Sequence, residues 1–111
     1  MNPLIQRFET MLAAGTDNAL LRFGLGQAYA AQGRHAEACV HLREALRHDP
    51  HYSAAWKLLA RSYLEEQCLD EAQETYEKGI QVAEERGDVQ AAREMRVFLK
   101  RLRKSRASGP G

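Results

Sequence analysis

Apolar residues recur three and four positions apart along most of this chain, the period of an amphipathic helix and not the alternation of a strand. Leu4, Ile5, Phe8, Met11 and Leu12 make such a stripe over residues 3–14, with Asn2 placed to cap it, Pro3 in its first turn and Gly15 at its end. Residues 18–32 carry one charge, Arg22, while Leu20, Leu21, Phe23, Leu25, Ala28, Tyr29, Ala30 and Ala31 cover nearly the whole circumference, which predicts a helix with no broad face suited to water. A last stripe, Val89, Ala92, Met95, Phe98 or Leu99, and Leu102, predicts a helix over 89–104 capped by Asp88, its basic last turns complementing the helix dipole. The Ser-, Gly- and Pro-rich stretch 105–111 predicts a disordered tail.

Between these ends the chain repeats. A shift of 34 residues superposes Arg22, Leu25, Gly26, Tyr29, Ala38, Leu42 and Pro50 on Trp56, Leu59, Ala60, Tyr63, Ala72, Tyr76 and Glu84, dividing the middle into units 19–52 and 53–86. Only Leu25/Leu59, Tyr29/Tyr63, Glu37/Glu71 and Ala38/Ala72 are identical, and three of those four pairs belong to the pattern. Large, small and large residues at this spacing place one interlocking stripe on each of two consecutive helices, the small ones admitting a facing backbone. Gly33 suits the first unit's inner turn because glycine enters the left-handed region freely, and Pro50 stops its second helix.

The pattern resembles the tetratricopeptide repeat family, tightly over 19–86 and more loosely at the flanks. The resemblance implies an all-α fold in which helix–turn–helix repeats stack as a short right-handed α-solenoid of about six helices, a single domain over 1–104 with a half repeat at 3–14 and a capping helix at 89–104. Three departures stand out. Arg22 takes the place of Trp or another large apolar group and is expected to weaken the first repeat; Gln67 replaces the turn glycine; Glu84 replaces the closing proline, letting the helix run to about Arg86, where Gly87 can cap it. Trp56 occupies the family's tryptophan position and is expected in the core.

Composition then removes function classes. Sixteen Lys and Arg against 15 Asp and Glu leave a formal net charge of +1, so bulk charge is not a binding mechanism. Two cysteines, Cys39 and Cys68, are too few for a disulfide scaffold, and no apolar stretch reaches membrane-spanning length, so a cytoplasmic protein is expected. No nucleophile, base and orienting group fall into a catalytic pattern, and an enzyme, a cofactor and a metal are not expected. Gly24-Leu25-Gly26 lacks the preceding strand of a phosphate loop, with Tyr29 where its third small residue belongs. His35 and Cys39 share a helical face but lack two further ligands for zinc; Cys39 falls on the buried stripe, while His41, His48 and His51 are expected to face solvent or sit at the inter-repeat turn. Residues 100–106 carry five basic side chains, which could grip phosphates but have no interleaved aromatic; neither nucleic acid nor a membrane is the expected partner.

The resemblance also implies a function: a non-catalytic module holding a peptide or helix of a partner protein on the concave face lined by the first helix of each repeat. The positions that avoid the packing stripe are Leu20, Phe23, Gly24, Gln27 and Ala31 in the first unit and Ala54, Lys57, Leu58, Arg61 and Glu65 in the second. Phe23, Gly24 and Leu58 are expected to form an apolar floor, with Lys57 and Arg61 recruiting an acidic group. Family members that clamp the carboxylate of chaperone tails use Lys and Asn at several of these positions; Phe23, Gln27 and Leu58 stand there instead, which argues against that ligand. Gly24 inside a helix points to a close neighbour: Met11, Leu58 or a ligand. The alternatives are a homodimer or assembly formed through the same apolar helix, and phosphate-polymer binding by the basic tail.

Overall fold

The computed structural model describes residues 2–108 and places them in six helices: α1 (Pro3–Ala13), α2 (Ala19–Ala31), α3 (His35–His48), α4 (Ser53–Glu65), α5 (Leu69–Arg86) and α6 (Val89–Ala107). They are the only regular elements among the described residues. The two expected caps form, Asn2 Oδ1 accepting from the Leu4 and Ile5 amides and Asp88 Oδ1 from the Ala91 amide, and Asn18 Oδ1 caps α2 in the same way by accepting from the Leu21 amide. The inner turn of the first repeat holds Gly33 at φ +75°, and the matching turn of the second forces Gln67 to +62°. Helix α5 runs past Glu84 to Arg86, where Gly87 at +81° closes it.

Each helix packs on the next, α2 also touches α4, and α4 touches α6, so the three line one face with α3 and α5 behind. Two clusters fill the interior. Leu25, Leu42, Ala45 and Leu59 centre the first; Ala60, Tyr76, Ala83 and Met95 centre the second. Trp56 and Tyr63 pack against both. The small position Gly26 is used as the spacing predicts, since a Cβ there would lie 2.6 Å from Leu42, and Gly79, which the repeat pattern did not single out, is equally close-packed, a Cβ there lying 2.9 Å from the Cβ of Trp56.

Several expectations are corrected. Helix α6 does not end at 104: it continues to Ala107 because Arg106 reaches back to Asp70 (2.5 Å) and Gln73 (2.9 Å) at the start of α5, so Ser105–Ala107 are helical, while Gly109–Gly111 lie outside the described residues. Leu4, Met11 and Val89 are exposed, since a terminal helix packed on one neighbour buries a narrower stripe, here Ile5 with Phe8 and Leu12, and Ala92, Met95, Leu99 and Leu102. Trp56 is half-buried, its indole N–H donating to the Pro50 carbonyl (2.8 Å). Helix α2 does have an open side, because its neighbours leave Leu20 73% exposed and Gln27 and Ala31 in solvent. His41 is half-buried, stacked on Tyr29 with centroids 5.4 Å apart. Its Nδ1 accepts from Arg22 (3.1 Å), whose guanidinium also grips Asp17 through two hydrogen bonds of 2.8 and 3.0 Å. Arg22 therefore fills an apolar position by bringing its own counter-charge and acceptor.

Candidate interaction groove

The face formed by α2, α4 and α6 carries a trough of three adjoining depressions. The central one, about 320 Å³, is lined by Phe23, Gln27, Ala54, Lys57, Leu58 and Arg61, six of the ten positions chosen from the sequence, together with Tyr76, Glu94 and Phe98. Toward α1 it joins, at Phe23 and Gln27, a second depression of about 390 Å³ that includes Leu20, Gly24, Phe8, Met11 and Tyr52. Toward the far end it joins, at Arg61 and Phe98, a third that includes Glu65, Leu64, Arg101 and Leu102. Ala31 is exposed on α2 but lines none of the three.

Phe23, Gly24 and Leu58 all line the trough, with Tyr76 and Phe98 beside them. Phe23 is stacked on Tyr52 at 4.8 Å, and Gly24 is explained by Phe8, whose ring would meet a Cβ there at 2.8 Å, rather than by Met11, Leu58 or a ligand. Leu58 packs along the edge of the first core cluster. Phe98 stacks parallel to Tyr76 at 6.0 Å, and the guanidinium groups of Arg61 and Arg101 lie 5.1 and 5.7 Å from its ring centre. The Tyr76 hydroxyl is buried beneath the central depression and hydrogen-bonds to no protein group among the described residues; burial pushes its pKa up to about 12.

The cationic side is rearranged. Lys57 Nζ sits 2.7 Å from Glu94 Oε2, and this ammonium, with help from the Gln90 amide, holds the Glu94 carboxyl below its ordinary range. Arg61 Nε donates to Glu65 (3.0 Å), while Arg101 takes part in no ion pair among the described residues. Both cations expected to recruit an acid thus have internal partners, contributed across a sequence separation that local spacing does not encode for Glu94. Phe98 did leave a trace: with Phe98 and Leu99 adjacent on one stripe, one of the two had to face away from the core.

Elsewhere the chemistry is quiet. Cys39 is buried, and desolvation pushes its thiol up to about 11, away from the thiolate that metals and electrophiles require. The basic tail is partly matched by acids of α5, Arg103 meeting Glu77 at 2.7 Å and Arg106 meeting Asp70. Among the described residues no helix is long and apolar enough to cross a membrane.

Comparison with known proteins agrees with this architecture. The sequence profile of the family described as Tetratricopeptide repeat matches residues 30–95. A TPR repeat-containing protein of Pseudomonas aeruginosa is 45% identical over 103 residues, spanning 93% of this chain and 98% of that one. A Bordetella parapertussis protein of known solution structure superposes with a TM-score of 0.84 at 44% identity, covering 96% of this chain and 93% of its own. The Sgt2 TPR domain of Aspergillus fumigatus gives 0.80 at 28% identity, over 96% of this chain and 70% of that domain.

Proposed function

The chain belongs to the tetratricopeptide repeat family, whose members are generally non-catalytic protein-interaction modules, and on that premise we propose that it holds a peptide or helix of a partner protein in the trough along α2, α4 and α6. The observation carrying this reading is the continuity of the three depressions, with Leu20, Phe23, Leu58 and Phe98 set along them on rigid helices. Large apolar groups in a concave, preformed surface favour binding at low ordering cost.

The test is comparative capture. Wild type and Leu58→Glu are immobilised, each first shown by circular dichroism to be folded, and incubated with lysate. A protein retained by wild type, lost with Leu58→Glu and then bound one-to-one by the purified chain is the expected result. Equal retention by the folded variant overturns the assignment of the trough. Cutting the chain after Leu99 is a poor control for the tail because it removes the buried Leu102; charge reversal at exposed Lys100 and Lys104 leaves the core intact.

A further inference from the structure

The trough is polar along its length in a way that restricts what fits it. Its α1 end is lined by Phe8, Met11, Leu20, Leu21, Phe23 and Tyr52 among others, without a single charged side chain. Its middle holds the matched pair Lys57 and Glu94. Its far end carries two guanidinium groups, Arg61 and Arg101, beside the ring of Phe98, with Glu65 as the one carboxylate in that depression. Only one Arg61 nitrogen, Nε, is engaged by Glu65, and Arg101 has no ion pair among the described residues, so both guanidinium groups keep N–H donors without an ion-pair partner in a depression that Phe98 also lines. A second, independent feature lies between the two halves: the buried Tyr76 hydroxyl, orphaned beneath the central depression and close enough to Arg61 and Glu65 to feel both charges. A buried hydroxyl without a partner is unfavourable, and a backbone carbonyl of the occupant entering from above would relieve it without bringing a charge toward Glu94.

We infer that the occupant is an amphipathic acidic segment of a partner protein, seated with large apolar side chains toward Leu20 and Phe23 and with Asp or Glu toward Arg61 and Arg101. The inference rests on the trough being the binding face. Charge complementarity fixes both the sign of the partner's charge and its direction along the trough: a basic segment would set like charges against the two guanidiniums, and a reversed one would bury its acids on apolar floor. Glu94 at the centre, already held by Lys57, adds a repulsive element against acids placed midway.

The experiment is selection from a displayed library of random twelve-residue peptides against the full chain, followed by titration of the selected peptides as fluorescent conjugates. Expected are sequences with two or more large apolar residues on one side and Asp or Glu on the other, depleted in Lys and Arg. Arg101→Glu, a change at an exposed position, is expected to weaken them about tenfold, and 0.5 M salt to weaken them in the same direction. A spin label at the acidic end should broaden amide signals of α6 near Arg101, and one at the apolar end those of α2 near Leu20. Selected peptides with no acidic bias, yet lost with Leu58→Glu, overturn the inference and leave the trough as the binding face. Peptides indifferent to Leu58→Glu overturn both. Failure of any peptide to be enriched overturns the inference, and capture of a folded partner under Leu58 control then decides the trough separately.

Discussion

The two repeats obey one frame and fill it with different chemistry. At the position where the second repeat places Trp56, half-buried between two clusters with its N–H on Pro50, the first places Arg22, clasped by Asp17 and His41. Thirty-four residues apart again, Gly26 admits the branched end of Leu42, whereas Ala60 shares a cluster with the flat ring of Tyr76. What the frame requires at each place is a volume and a satisfied surface, and a cation with two acceptors meets that requirement as an indole does. The expectation that Arg22 weakens the first repeat treated residue type as the requirement; the structure gives Arg22 three polar contacts instead.

The largest break in this comparison comes from the aromatic side. Trp56→Ala removes packing from both clusters at once and should lower unfolding free energy by about 3 kcal/mol, the low end for a tryptophan because the ring is half-buried. Urea denaturation of the whole chain reads it. Arg22→Ala should cost clearly less; an equal cost would mean the clasp carries as much packing as the indole.

Next in size is the small position. Gly26→Ala drives a Cβ to 2.6 Å from the fully buried Leu42, which has nowhere to move, and should cost about 1–3 kcal/mol. Gly24→Ala meets only the ring of Phe8, the far end of a half-buried side chain on a terminal helix, and should stay within about 1 kcal/mol of wild type because the helix gains from losing a glycine. The reverse ranking would place Phe8, not Leu42, at the rigid contact.

Smaller still is the inner turn, where Gly33 and Gln67 occupy equivalent left-handed positions. Gln67→Gly should stabilise the chain and Gly33→Gln destabilise it, each by about 1 kcal/mol, since a Cβ is strained at positive φ. Opposite signs from chemically opposite exchanges would show that the two turns are the same object, and differential scanning calorimetry resolves shifts of that size.

This turn also shows what the sequence disclosed and what it did not. The 34-residue displacement made the helices, their caps and the strained Gln67 readable, because all depend on neighbours within a turn or two. Nine of the ten positions chosen from the family resemblance and helical spacing line one of the three depressions. Tyr76, Glu94, Phe98 and Arg101 were missed because they reach the trough from α5 and α6, and the Lys57 to Glu94 pair joins residues 37 apart. His41 was misplaced for a related reason: its own helix would expose it, and only Arg22, Tyr29 and Glu9, on two other helices, enclose it.

His41 also supplies the finest test of the comparison. Burial first, and the Arg22 cation with it, push the imidazole below its ordinary value against the pull of Glu9, Glu37 and Asp17. The hydrogen bond from Arg22 requires Nδ1 to be an acceptor, so the ring is neutral, with Nε2 facing Glu9 at 3.5 Å. As pH falls through about 6.5 the unfolded chain takes up this proton before the folded one does, so stability is full above that range and declines until the folded site also protonates. Asp17 does not confuse the reading, because Arg22 above all, and His48, hold its carboxyl well below the usual carboxylate range. The second repeat has Thr75 at the equivalent place, its hydroxyl donating to the Glu71 carbonyl, with nothing to titrate. His41→Thr should therefore flatten the loss of stability between about pH 7 and pH 5 seen in urea titrations, whatever it does to stability at neutral pH. An unchanged slope would mean that another histidine carries the dependence and that the polar clasp of the first repeat is, in its response to protons, no different from the indole of the second.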